Sequence, residues 1–196
     1  MTVTARVRGD IDEWCAGRDW RWRAALLTVL AWQAARPLRD AEAGHLFRGI
    51  TFGAHEFGHL FFSFGGEWLA VAGGSLMQLL VPVGAMAAMV ATPKKDWFGA
   101  AACGTWLAAS FADLAPYIAD ARAQELDLVS FSADEAGHDW HYLLAHAGML
   151  ARDQGVARLT CALAALALAA TVLASLLLFR RMAARRPDAG RGAATA

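Results

Sequence analysis

Cysteine is scarce in this chain. Cys15, Cys103 and Cys161 are scattered and odd in number. They form neither a C-x-x-C pair nor a disulfide framework, which excludes a cysteine-built metal knot and a disulfide-stapled scaffold. Free thiols of this kind pack as small apolar groups. Net charge is lacking too: Lys and Arg number 18, and so do Asp and Glu. That balance gives no electrostatic case for nucleic acid. The opening MTVTARVRGD has no apolar core of the signal-peptide kind, so insertion into a membrane is expected to depend on internal segments. No repeat and no soluble second domain is visible, and 196 residues fit one domain.

What the sequence does have is apolar length. Hydrophobic residues make up 57% of it and its mean hydropathy is +0.34, above the ordinary range of a soluble domain. A short run at 24–35 lies between Arg23 and Arg36. It falls below the roughly 17 residues needed to cross a bilayer, and Pro37 discourages its continuation as helix. This run reads as interfacial or re-entrant. Longer runs at about 46–64, 68–91, 97–116 and 156–179 read as spans. Gly65-Gly66 ends the first of them, and Pro82 predicts a kink in the second. Residues 1–23, rich in Arg and Trp, read as an interfacial segment. Residues 117–153 read as a loop with an amphipathic helix, and 180–196 as a basic disordered tail.

The expected fold is therefore all-α. It is a polytopic integral membrane bundle of four spans plus the N-terminal interfacial or re-entrant segment, with 24–179 as the embedded domain. Arg180, Arg181, Arg185, Arg186 and the Lys94–Lys95 turn mark the cytoplasmic side. The acidic stretch between Asp120 and Asp139 marks the outer side. A bacterial inner membrane is the expected setting, with lipid as one partner.

The first of the four long runs carries chemistry. His55-Glu56-Phe57-Gly58-His59 is an instance of H-E-x-x-H. Residues four apart share a helical face, so His55 and His59 can offer two imidazole nitrogens to one metal ion. Glu56 beside them supplies a carboxylate for a general base. Zinc suits the set, because it takes nitrogen and oxygen ligands and leaves a position open. Ionisable groups inside an apolar segment are costly, and three of them within about one turn point to function.

A further ligand must come from elsewhere, since Gly65 stands where a metzincin would place its third His. Pro116 disfavours helix at the residue before it, and a locally unwound chain could bend Asp120 back toward the histidines. The alternative is Gly137-His138-Asp139-Trp140-His141, where His138 and His141 stand three apart and could share a helical face. Gln78, in Gly74-Ser75-Leu76-Met77-Gln78, adds one amide to a surface of small residues.

HEFGH, then GSLMQ, then Asp113-Leu114-Ala115-Pro116-Tyr117-Ile118-Ala119-Asp120 resembles the three-part signature of the site-2 proteases: H-E-x-x-H, a G-P-x-x-N element, and N-x-x-P…L-D-G. The order agrees over the stretch from His55 to Asp120. Ser75, Gln78, Asp113 and Ala121 depart from the pattern, and the last motif is about one residue short. The resemblance implies an intramembrane zinc metalloprotease acting on membrane-protein or peptide substrates. It implies His55, His59 and Asp120 as zinc ligands, Glu56 as the general base, and Gln78 in the position that helps hold substrate. Two other readings stay open. One is a non-catalytic metal-binding membrane protein or partner subunit, the other a zinc hydrolase acting on something other than peptide.

Overall fold

The computed structural model describes residues 2–126 and 137–184. Among them every regular element is helical: α1 (Val3–Cys15), α2 (Arg21–Arg39), α3 (Arg48–Phe62), α4 (Glu67–Ala91), α5 (Trp97–Ala119), α6 (Asp139–His146) and α7 (Asp153–Ala184), with short 3-10 turns at Ser63–Gly65 and Leu150–Arg152. The all-α expectation holds. Three stretches, Glu67–Ala91, Trp97–Ala119 and Leu150–Ala184, are long and apolar enough to cross a membrane. Many of their apolar side chains, such as Leu80, Val83, Leu166 and Leu173, point outward and are exposed. A soluble monomer rarely leaves so much apolar surface uncovered, whereas lipid would cover it.

Small residues decide how close these helices come. Half of the most apolar stretch of α5 is buried, against 22% in α4 and 28% in α7, which makes α5 the central helix. Its buried face includes Ala101, Gly104, Ala108, Ala112 and Ala115. A Cβ on Gly104 would run into Thr171 of α7. At the α3–α4 crossing a Cβ on Gly73 would stand 2.5 Å from the Gly58 carbonyl oxygen. Here Gly is used because backbone meets backbone.

The two ends of the bundle differ. At one end Trp14 and Cys15 of α1 bury against Phe98, Leu178, Phe179 and Met182. Asp10 pairs with Lys95, and Arg181 donates to Asp12 (3.1 Å). The Arg/Trp-rich segment thus docks on the basic end of α7 as a folded helix. The other end gathers the last turn of α3, the start of α4, the last turn of α5, α6 and the start of α7.

Four expectations change. Residues 24–35 belong to a 19-residue helix that runs on through Pro37. Proline removes only one ladder hydrogen bond there, close to the helix end. Leu27, Leu30, Ala34 and Pro37 are buried, a spacing of three or four that puts one stripe against the bundle. Trp22 meets Phe98 edge-on at 6.0 Å, near the start of α5, while His45, shortly after α2, reaches Asp113 near its end at 2.9 Å. So α2 runs alongside α5 and in the same direction. By contrast α3, read as a span over 46–64, has only 15 residues. It is about 22 Å long, short of a hydrocarbon core of roughly 30 Å.

Pro116 does not unwind α5. The helix continues to Ala119, and the Asp120 N–H closes the last turn on the Pro116 carbonyl (3.0 Å). Buried Leu114 and Ile118 hold that turn in place. Finally, helix α7 carries Arg180 and Arg181 to Ala184, so the expected tail starts as helix. The rest of that tail, 185–196, and the middle of the acidic stretch, 127–136, lie outside the described residues.

Candidate metal centre

The helical spacing of HEFGH does what its chemistry requires. His55 and His59 lie one turn apart on α3 and turn inward toward α4, with ring centroids 4.8 Å apart. They can do so because α4 offers glycine. A Cβ on Gly74 would stand 2.5 Å from His59 Nε2 and 2.7 Å from His55 Nε2. The imidazoles occupy the space that any larger residue would fill.

The third group arrives from α6. Asp139 Oδ2 lies 3.0 Å from His55 Nε2 and 3.3 Å from His59 Nε2. The three ligand atoms lie within 4.8 Å of one another, and among the described residues this is the one such group of three or more His, Cys, Asp or Glu side chains. Two ligands bonded to a tetrahedral zinc at about 2.0 Å stand about 3.3 Å apart, so these separations fit a common ion. The tautomer of His59 also fits. Its Nδ1–H donates to the Ala70 carbonyl (2.9 Å), which makes Nε2 the nitrogen that faces the carboxylate and that a metal would take. A lone pair and a carboxylate this close repel unless a proton or a cation lies between them. Burial works against the Asp139 anion, but hydrogen bonds from His55 and His59 outweigh it and hold the carboxyl below its ordinary range. An ionised carboxylate is the form a metal takes.

Several contacts aim Asp139. Its backbone N–H donates to the Tyr117 hydroxyl (2.9 Å), and the next residue, Trp140, donates from Nε1 to Ser75 Oγ (3.1 Å). His138 stacks on Tyr117, with ring centroids 4.4 Å apart. None of these contacts was foreseen from the sequence. Tyr117 and Ser75 lie inside the third and second of the three motifs, but nothing in their spacing indicates a role in holding α6.

Asp120, the expected third ligand, lies outside the group. Its carboxylate accepts hydrogen bonds from the backbone N–H groups of Glu125 (2.9 Å) and Leu126 (3.1 Å) and faces His138 Nε2 at 3.3 Å. The cause is the unbroken last turn of α5, which carries Asp120 past the histidines. Of the alternative set, Asp139 joins the site while His138 and His141 do not. His138 caps α6 by accepting from the His141 N–H at Nδ1 (3.2 Å). Burial pushes the His138 pKa down, and Asp120 opposes this without cancelling it. His141 is turned to the Ala121 carbonyl and Gln124, both at 2.8 Å. Gln78, expected to hold substrate, is buried with both ends of its amide occupied. Oε1 accepts from His55 Nδ1 (3.0 Å), and Nε2 donates to the Ser110 carbonyl (2.9 Å).

Glu56 is half-buried and lines the same cleft of about 1980 Å³ as His55, His59, Tyr117 and Asp139. Among the described residues no hydrogen bond or ion pair holds its carboxylate. The arrangement combines three groups that could hold a cation, an unengaged carboxylate next to them, and open space above both. Compared with protein-family models, curated proteins and solved structures, the chain matches none.

Proposed function

We propose that this protein is an intramembrane zinc-dependent peptidase resembling a minimal site-2 protease, with His55, His59 and Asp139 as the zinc ligands. The observation that carries the reading is the convergence of two H-E-x-x-H imidazoles and one carboxylate beside Glu56 in an open cleft. When bound, zinc supplies a Lewis acid that polarises the scissile carbonyl. The other steps belong to side chains. Glu56 takes the proton of the attacking water and passes it to the leaving amine. Gly74 keeps room for both imidazoles, and Tyr117 and Ser75 hold α6 so that Asp139 stays opposite them, where it would hold the ion.

In a bilayer, α4, α5 and α7 cross, and α2, lying along α5, supplies a fourth crossing. The segment that carries HEFGH then dips in from the site end as a half-length helix. Lys94, Lys95, Arg180 and Arg181 gather at the opposite end, which the charge rule assigns to the cytosol.

The test uses the full chain in lipid vesicles with a model transmembrane peptide. Glu56→Gln is expected to keep its zinc and lose cleavage by about 10²–10⁴-fold, because an amide cannot accept the proton. Cleavage by this variant at the wild-type rate would remove Glu56 from the role. The filled amide of Gln78, which leaves no free group there to grip a substrate backbone, favours a second reading, a non-catalytic metal-binding membrane protein. Zinc in the wild type without cleavage of any membrane peptide would support that one.

A further inference from the structure

His55 has two ring nitrogens, and only one tautomer leaves Nε2 free to bind an ion. The choice is made two helices away. The backbone carbonyl of Ser110, on the buried face of α5, can only accept a hydrogen bond. The amide nitrogen of Gln78 must therefore be the end that faces it, at 2.9 Å. This fixes the flip of the side chain and turns Oε1 toward His55 Nδ1 at 3.0 Å. An amide oxygen also only accepts, so His55 Nδ1 must carry the proton. Nε2 is then the nitrogen that faces Asp139 Oδ2, at 3.0 Å, and the one available to an ion. Gln78 is 4% exposed and Ser110 fully buried, so water does not compete for either bond.

We infer that Gln78 is a positioning residue which, keyed by the Ser110 carbonyl, holds His55 in the Nδ1–H tautomer and so prepares its Nε2 to bind metal. The inference rests on the metal reading of the site. It gives the amide a task toward the histidine rather than toward a substrate. His59 shows the same logic with a simpler part, the Ala70 carbonyl. Both imidazoles are thus oriented from α4, one by its backbone and one by a side chain.

The experiment compares wild type, Gln78→Leu and Gln78→Glu, each as the full chain in detergent. Zinc affinity is read by competition with a chelating dye, and the His55 tautomer by nitrogen-15 NMR of the metal-free protein, with a His55→Ala sample assigning the signal. Wild type is expected to show the proton on Nδ1. Gln78→Leu should mix the tautomers and lose on the order of 10–100-fold in zinc affinity, the usual scale for a group behind a ligand. Gln78→Glu, whose carboxylate still accepts from Nδ1–H, should keep the tautomer and recover most of the affinity despite losing the bond to the Ser110 carbonyl. A purely packing role would give the opposite ranking, because Leu fills a buried site better than a carboxylate. A wild-type His55 with no proton on Nδ1 overturns the inference even if Gln78→Leu fails to fold. So does a folded Gln78→Leu with unchanged tautomer and affinity. Absence of zinc from wild type counts against the metal reading instead, and the tautomer measurement still decides the role of Gln78.

Discussion

Which carboxylate joins the two histidines turns on two aspartates that sequence alone cannot rank. Both follow α5, and both lie close to a histidine in sequence or space. The structure separates them by hydrogen bonding. Asp120 is occupied by two loop N–H groups, whereas Asp139 presents an oxygen to both imidazoles. Asp139→Ala is therefore expected to lose most of the bound zinc, and Asp120→Ala to retain it, as measured by metal content after gel filtration. The reverse pattern would return the role to Asp120. Gly74 makes an independent prediction at the same scale. Gly74→Ala adds one methyl where two imidazole nitrogens stand, at 2.5 Å and 2.7 Å. Backbone of α4 cannot retreat easily from a packed hairpin, so the histidines must move. Zinc affinity should fall by about tenfold or more, while Gly84→Ala, where the added methyl meets nothing within 4 Å, should not change it. Equal affinity in the two variants would show that the cradle is not needed.

At the scale of elements, the sequence was most legible where one residue pattern had one physical outcome. HEFGH placed His55 and His59 on one helical face because a spacing of four allows little else. The long runs after residue 67 became helices within a few residues of their expected ends. The proline signals were less reliable. Pro37 and Pro116 read as breaks in the sequence, yet each sits in the last turns of a packed helix, where a single lost hydrogen bond is outweighed by buried neighbours. In the proposed arrangement α2 and α3 exchange roles. Composition made residues 24–35 look too short and 46–64 look long enough, because it registers apolar residues and not where a helix begins. The exchange has a topological consequence. If α2 crosses, the loop after it lies on the same side as the start of α4. In sealed vesicles of a chain with Cys15, Cys103 and Cys161 replaced by Ala, a membrane-impermeant maleimide should label Glu42→Cys and Glu67→Cys from one face and Arg6→Cys from the other. Labelling of Glu42→Cys together with Arg6→Cys would restore the original assignment.

For the whole molecule, the candidate site joins elements that are distant in sequence. His55 and His59 come from α3 and Asp139 from α6, while α4 and α5 supply the groups behind them. α6 has only 8 residues and would not hold a helix alone. Its attachments are few: Asp139 to Tyr117, Trp140 to Ser75, His141 to Ala121, and buried Leu143 and Leu144. A metal bound to Asp139 would add one strong link between this helix and α3. By linkage, zinc at about 100 times its dissociation constant stabilises the bound form by about 2.7 kcal/mol. That gain applies to any opening that separates Asp139 from the two histidines, and α6 needs the least disruption to separate. Hydrogen exchange is therefore the suitable readout, because it resolves local opening where heating a membrane protein often unfolds it irreversibly. Removing zinc with a chelator should speed exchange of the α6 amides by up to about 100-fold, the same factor expressed as a rate. The central turns of α5, around Gly104 to Ala112, should exchange as slowly as before. In Asp139→Ala the chelator should change nothing, because the link is already gone. Equal exchange of α6 with and without zinc in a wild type that holds the metal would show that Asp139 does not bind it.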